Sequence, residues 1–185
     1  AASCKAEAPE TVEAIAAHHW TERYEALRFD TEDYVKKTGK NVEVFLCNMG
    51  PIPQHKARAD FSTSFLQVGE FNVHLNNGFQ DDEGKPGSRY EKCVEALKAG
   101  IDENGTPYDV AVICSTDATY PEIVPKLAPM IKAAMKPSAT LFLAGAAPKD
   151  MEQVYKDAGV DDFISVKANC FQTLKMLQKK KGMIE

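Results

Sequence analysis

The side chains best suited to chemistry in this sequence fall in three short segments, each directly after an apolar run. Residues 48–55 include a histidine, residues 115–119 begin Ser-Thr-Asp, and residues 145–148 begin with a glycine. Imidazole and hydroxyl groups bind ligands through hydrogen bonds, and a glycine lets a ligand approach the backbone closely. If the apolar runs are parallel strands, the three segments meet at the carboxyl edge of one sheet, where ligands bind.

From about residue 41, apolar runs alternate with segments of helical periodicity. Helices between apolar strands imply parallel strands joined by right-handed crossovers. We therefore predict an α/β fold, a flavodoxin-like doubly wound five-stranded parallel sheet in the order 2-1-3-4-5. The predicted strands are residues 42–48, 71–75, 108–114, 139–144 and 162–166, and the predicted helices are 55–68, 89–99, 120–135, 148–158 and 170–180.

The N-terminal part of the chain has a different pattern. Residues 11–37 predict one helix, or two that meet near residues 29–30 with Asp30 or Thr31 as the second cap. Gly39 is expected to end the helical segment. We divide the chain into a helical extension or linker, residues 1–40, and a flavodoxin-like domain, residues 41–185.

The composition excludes several classes of function. A net charge of −5 argues against nucleic-acid binding, which needs a basic face. Five cysteines without a CxxC pair argue for a reducing compartment and against zinc or a disulfide framework. No apolar run reaches 18 residues and no signal peptide is visible, so we expect no membrane span. Because the chain begins with Ala1, we expect either a fragment or a processed product.

Three ligand classes common to this architecture fit the loops poorly. The first loop contains two prolines and no hydroxyl, so it cannot wrap a flavin phosphate. A phospho-receiver domain could use Asp117 and Lys167, but Cys47 and Asn48 stand where its Mg²⁺-binding acidic cluster should be. No GxGxxG follows a strand, which argues against a dinucleotide site.

Several stretches nevertheless resemble one known family. Residues 25–28, 44–59 and 65–69 resemble the small (β) subunit of heterodimeric methylmalonyl-CoA mutase. Residues 113–117, 124–127, 143–148 and 155–160 resemble the cobalamin-binding domain of the same family. The resemblance spans about residues 20–181.

The resemblance implies an adenosylcobalamin-dependent isomerase that interconverts methylmalonyl-CoA and succinyl-CoA. In that family the large (α) subunit carries the cofactor, and the small subunit is a related, inactive copy that pairs with it. A small subunit also has an upstream barrel-like domain, so this chain resembles only the C-terminal, cobalamin-binding-like part. Because a heterodimeric mutase of this type is expected in bacteria, the resemblance also implies a cytoplasmic location.

The cobalt-binding motif of the family, Asp-x-His-x-x-Gly, is degraded here. Its aspartate position falls on Ile52, its histidine position on Gln54 and its glycine position on Ala57. His55 lies one residue after the histidine position of the motif. Shifting the alignment to place His55 there puts Pro53 at the aspartate position and Arg58 at the glycine position, and neither residue could serve.

Two further family motifs are altered. The Ser-x-Leu signature after the third strand reads Ser115-Thr116-Asp117, and the paired glycines after the fourth strand read Ala144-Gly145. We interpret Ser115, Thr116 and Gly145 as vestigial cofactor contacts. We predict no catalytic residue and no metal site, with His55 as a helix-entry residue.

The prediction for function is thus a noncatalytic, structural domain that supports assembly with the large subunit and itself binds no cofactor. Two alternatives stay open. One is a cobalamin-binding module that works without histidine ligation, through Ser115 and Gly145. The other is a receiver-like domain phosphorylated on Asp117.

Overall fold

The computed structural model describes residues 14–185, in which helices and strands alternate from the first helix onward. The helices and strands, in chain order, are α1 (Glu22–Thr38), β1 (Glu43–Asn48), α2 (Ile52–Gln67), β2 (Asn72–His74), α3 (Ser88–Ala99), β3 (Val110–Cys114), α4 (Tyr120–Ala134), β4 (Thr140–Ala144), α5 (Glu152–Asp157), β5 (Asp162–Ile164) and α6 (Cys170–Lys181).

The five strands form one parallel sheet in the order β2-β1-β3-β4-β5, as predicted. In the centre of the sheet, Val44 pairs with Val110 and Asn48 with Cys114. Strands β3 and β4 are buried along their whole length, which explains why their sequences are continuously apolar rather than alternating. The fold is a flavodoxin-like α/β fold, and the winding reverses between β1 and β3.

Each face of the sheet carries its own apolar core. Phe45 and Cys47 of β1 face a core built with α3, α4 and α5. Val44 and Leu46 face the opposite core, which includes Leu27 of α1 and side chains of α2 and α6. Since successive strand residues point to opposite faces, the two cores share one sheet.

Helix α1 differs from its prediction. It begins at Glu22, residues 14–19 are not helical, and residues 11–13 lie outside the described part of the chain. The helix is continuous through residues 29–30, so the predicted cap at Asp30 or Thr31 is wrong. The Thr31 hydroxyl is buried and donates to the Gly69 carbonyl at 2.9 Å. Gly39 ends the helix as predicted, with a left-handed φ of 68°.

The start of α2 also differs, and this changes the candidate site. We predicted a loop over residues 48–55, but the helix begins at Ile52. Pro53 fits the first helical turn because the N–H groups there have no intrahelical partner. Gln54 and His55 therefore lie on the helix rather than in a flexible loop.

Among residues 14–185, no helix is both long and apolar enough to cross a bilayer.

Candidate functional site at the carboxyl edge of the sheet

The carboxyl ends of β1, β3 and β4 meet where the sequence placed the candidate residues. Met49 continues the β1–β3 pairing, with its N–H donating to the Cys114 carbonyl at 2.9 Å. Gly145 follows β4 directly, and its N–H donates to the Ile164 carbonyl at 2.8 Å. The three predicted segments are therefore neighbours in space.

Ser115 is turned inward beneath this edge. The residue is fully buried, and its hydroxyl donates to the Met49 carbonyl at 3.1 Å. The Thr119 hydroxyl lies 2.8 Å from the Ser115 hydroxyl. Both hydrogen-bonding roles of Ser115 are thus used inside the protein, where they fix the loop between β3 and α4.

Thr116 takes part in the same loop. Its carbonyl accepts a hydrogen bond from the Thr119 backbone N–H at 3.0 Å, and the Thr119 hydroxyl oxygen lies 2.8 Å from the same carbonyl. Its own hydroxyl is 3.3 Å from that of Thr119. These contacts shape the turn that enters α4, as polar side chains often do before a helix.

Tyr120 joins the ends of β3 and β4. Its hydroxyl accepts a hydrogen bond from the Ser115 N–H at 3.1 Å and donates one to the Ala144 carbonyl. The side chain is 3% exposed, and burial raises the pKa of its hydroxyl. The group therefore stays protonated and serves as a bridge. The sequence identified Tyr120 only as a helix start, because its partner strand lies 24 residues away.

An ion pair lies against Gly145. Arg58 of α2 donates from Nη2 to both carboxylate oxygens of Asp117, at 2.8 Å and 2.9 Å. A Cβ placed on Gly145, whose φ is 127°, would lie 3.3 Å from Arg58 Cζ and from Asp117 Oδ1. The space that the glycine leaves open is therefore taken by this ion pair.

The pair forms one wall of an open cavity of about 470 Å³. The apolar part of the lining comes from Ala57 and Phe61 of α2, Ala146 after β4 and Val166 beyond β5. Ala57, at the glycine position of the cobalt-binding motif, and Asp117, at the leucine position of the Ser-x-Leu signature, therefore both line this cavity. Ser115 and Thr116 do not line this cavity.

Gln54 and His55 lie in the first turns of α2 but differ in their surroundings. Gln54 is half-buried, and its amide packs beside Gly50. His55 is 4% exposed, with Nδ1 3.1 Å from the Gly50 carbonyl. Because a carbonyl only accepts, Nδ1 carries the proton. His55 lines a second cavity, on the other side of α2 from Arg58.

These residues do not fit a cobalamin held by histidine. His55 is buried and faces away from the cavity that Ala57, Asp117 and Arg58 line. Gln54, at the expected ligand position, carries an amide, which is a far weaker metal ligand than imidazole. Within residues 14–185, no group of three or more His, Cys, Asp or Glu side chains is arranged to hold a metal ion.

Sequence comparison gives this geometry a context. The methylmalonyl-CoA mutase small subunit of Porphyromonas gingivalis is 26% identical over 173 residues, which is 94% of this chain and 24% of that protein. The probable small subunit of Mycobacterium tuberculosis is 29% identical over 162 residues, 86% of this chain and 23% of that protein.

This chain is a relative of methylmalonyl-CoA mutase small subunits. The resemblance predicted from the sequence is thereby confirmed. The small subunit of Streptomyces virginiae is also 29% identical, over 76% of this chain. The chain spans about a quarter of the length of the curated relatives it matches. No family model matches the chain.

Among solved structures, the phosphorylated cyanobacterial phytochrome response regulator RcpA is similar, with a TM-score of 0.41 and 13% identity. The alignment covers 76% of this chain and 91% of the regulator.

Arg58 and Tyr120 are the site residues that the sequence did not reveal. Arg58 was part of a matching stretch but had no assigned role. Arg58 lies on the second turn of α2 and faces Asp117, which follows β3. This pairing can be predicted only after the parallel strand order is known, because the two residues are far apart in the sequence. Tyr120 left no comparable signal.

Proposed function

We propose that this chain is a noncatalytic, structural domain of a methylmalonyl-CoA mutase small subunit. In this proposal it assembles with a large (α) subunit, which holds adenosylcobalamin, and the complete heterodimer isomerises methylmalonyl-CoA and succinyl-CoA in the cytoplasm. The chain itself supplies no cobalt ligand and no catalytic residue.

The observation that carries the proposal is the Arg58–Asp117 ion pair against Gly145. By the family resemblance, this is the place where a cofactor-binding domain leaves room for the nucleotide tail. Here Asp117 replaces the leucine of the Ser-x-Leu signature, and it pairs with Arg58 at 2.8 Å. A nucleotide base entering this position would have to displace the Arg58 and Asp117 side chains, which occupy the space beside Gly145.

The inward hydrogen bonds of Ser115 and Tyr120 support the same proposal. In this arrangement the Ser115 hydroxyl has a donor and an acceptor within the protein. Tyr120 holds the ends of β3 and β4 together through the Ser115 N–H and the Ala144 carbonyl. Ser115 and Tyr120 thus join the ends of β3 and β4 through hydrogen bonds within the protein.

The role in assembly is tested by association. The purified chain is mixed with a methylmalonyl-CoA mutase large subunit, and the complex is measured by analytical ultracentrifugation. The proposal expects a one-to-one complex. Two sedimenting species at micromolar concentrations of both proteins would contradict it.

A second candidate is a cobalamin-binding module that does not use histidine ligation. The cavity of about 470 Å³ beside Gly145 favours it, because some space persists at the expected position. If this candidate is correct, cobalamin binding survives His55→Ala and is lost when Ala57→Trp fills the cavity from α2. Loss of binding in His55→Ala would exclude it.

A further inference from the structure

The sequence contains two Asn-Gly pairs, Asn77-Gly78 and Asn104-Gly105. In such a pair the backbone nitrogen of the glycine can attack the amide carbon of the asparagine side chain, because glycine has no side chain to hinder the approach. The attack requires the asparagine side chain and the next peptide unit to rotate toward each other. The structure around each pair therefore decides whether it reacts.

Asn77-Gly78 lies in a segment that is anchored to strand β1. The Gly78 N–H donates to Asn76 Oδ1 at 3.0 Å, and Asn76 Nδ2 donates to the Leu46 carbonyl at 2.7 Å. The next N–H along the chain, that of Phe79, donates to the Asn48 carbonyl at 2.7 Å. Rotation of the peptide unit between Asn77 and Gly78 therefore requires several of these hydrogen bonds to break together.

Gly78 is also packed tightly against a buried side chain. A Cβ placed on this glycine, whose φ is 86°, would lie 2.4 Å from the ring of His55. His55 is itself 4% exposed. The backbone at Gly78 thus rests on the buried interior, and Asn77 is protected from reaction although its own side chain is exposed.

Asn104-Gly105 has different surroundings, in the loop between α3 and β3. Residues 102–107 are all exposed, and within residues 14–185 the side chain of Asn104 makes no hydrogen bond. The Gly105 N–H donates to the Asp102 carbonyl at 3.0 Å, which is a contact inside the loop. Because this contact joins two exposed residues, it opens more readily than the anchors at Gly78.

The Asp102 carboxylate orders this loop. Its Oδ1 accepts the N–H groups of Asn104 and Thr106, each at 3.0 Å, and its Oδ2 accepts the Thr106 hydroxyl at 2.7 Å. These hydrogen bonds restrain the backbone on both sides of the peptide unit that joins Asn104 to Gly105. Asp102 therefore limits how often the loop reaches the geometry of attack.

We propose that Asn104 is a site of spontaneous deamidation in the folded protein and that Asp102 limits its rate by ordering the loop. The Gly105 nitrogen forms a bond to the Asn104 amide carbon and closes a succinimide ring, and the side-chain nitrogen leaves as ammonia with the proton that Gly105 gives up. Water then opens the ring at either carbonyl, which leaves aspartate or isoaspartate and adds a negative charge. The proposal is independent of the structural role proposed above.

The test compares the two asparagines in the same molecule. The purified chain is kept at pH 8, and peptide mass spectrometry follows the conversion of each asparagine amide to an acid. We expect Asn104 to convert at least about tenfold faster than Asn77, because Asn77 reacts only when its anchors open. In urea both pairs lose their surroundings, so their rates should become similar. Equal rates in the folded chain, or an Asn104 that converts only in urea, would overturn the proposal.

Two aspartate variants test the role of Asp102. In Asp102→Ala the conversion of Asn104 should be several-fold faster, since the hydrogen bonds that order the loop are lost. Asp60→Ala removes the same charge from an exposed position on α2 and should leave the rate unchanged. An unchanged rate in Asp102→Ala, or equal acceleration in both variants, would show that Asp102 does not limit the reaction.

Discussion

Arg58 Nη2 donates to both carboxylate oxygens of Asp117, at 2.8 Å and 2.9 Å, and the pair covers the backbone of Gly145. The two residues lie 59 positions apart and come from the segments after β1 and β3. In the resembling family these segments carry two different cofactor motifs. In this chain, Asp117 replaces the leucine of the Ser-x-Leu signature. It pairs with Arg58, which directly follows Ala57, the residue at the glycine position of the cobalt-binding motif.

The Arg58–Asp117 pair should contribute little to stability. Its side chains are 36% and 62% exposed, and such pairs are worth about 0.2–1 kcal/mol. A double-mutant cycle with Arg58→Ala and Asp117→Ala, measured by urea unfolding, should give a coupling energy in that range. The Lys56–Asp60 pair on the same helix is the matched control, with about 0.3–0.5 kcal/mol expected. A coupling above about 2 kcal/mol would show that the pair holds the fold together.

Tyr120→Phe removes only a hydroxyl group, but we expect it to lower the free energy of unfolding substantially. The substitution leaves the buried Ser115 N–H and Ala144 carbonyl without their partner. An unsatisfied buried group costs about 1–3 kcal/mol, so we expect a loss of about 2 kcal/mol in the free energy of unfolding. Tyr108→Phe is the control, because the Tyr108 hydroxyl makes only a long contact of 3.4 Å with the Gly100 carbonyl. Equal losses in the two variants would contradict the bridging role.

Thr31→Val tests how α1 is attached. The Thr31 hydroxyl donates to the Gly69 carbonyl and accepts from Gln178 Nε2, each at 2.9 Å, so it links α1 to two other segments. The nearly isosteric valine removes both bonds, and we expect a loss of about 1–3 kcal/mol. Thr38→Val, at the exposed end of the same helix, should change stability by less than about 0.5 kcal/mol. An unchanged urea midpoint for Thr31→Val would show that the contact adds nothing.

Cysteine reactivity should separate the buried thiols from the half-buried one. Burial raises the pKa of the Cys114 thiol to about 12 and also raises that of Cys47. Since the thiolate is the reactive form, native protein treated with iodoacetamide at pH 8 should be alkylated at Cys170 before Cys47 and Cys114. Peptide mass spectrometry measures each site, and labelling in urea is the control.

The same shifts give stability a pH dependence. The folded-state pKa of Cys114 lies above the unfolded value of about 8.5, so the folded state holds its proton over a wider range. This contribution to stability is present below about pH 8.5 and is lost as the pH rises toward the folded pKa of about 12. Urea midpoints should therefore fall steadily above pH 9, and Cys114→Ala should flatten that fall. A midpoint that rises with pH in this range would contradict the assignment.

The fold was predictable because its signals are local. Runs such as residues 110–114 are apolar throughout, and a strand covered on both faces requires this. The start of α2 was misplaced because Pro51 and Pro53 suggested a loop, although proline suits a first helical turn. Thr31 was taken for a cap because its partner Gln178 lies 147 residues away.

The candidate site was predictable in location but not in content. Topology placed the loops after β1, β3 and β4 together, and the motif positions followed from the resemblance. The Arg58–Asp117 pair and the Tyr120 bridge depend on side-chain directions across different segments. The spacing of residues along the chain does not predict such contacts. The structure was therefore needed to show that Arg58 and Asp117 fill the space beside Gly145.

The most direct test of the central claim is a titration of the chain with adenosylcobalamin, followed by the visible spectrum and by equilibrium dialysis. The proposed function predicts no retention of the cofactor at micromolar concentrations and no spectral change indicating histidine ligation. Stoichiometric binding with a histidine-ligated spectrum that disappears in His55→Ala would contradict it.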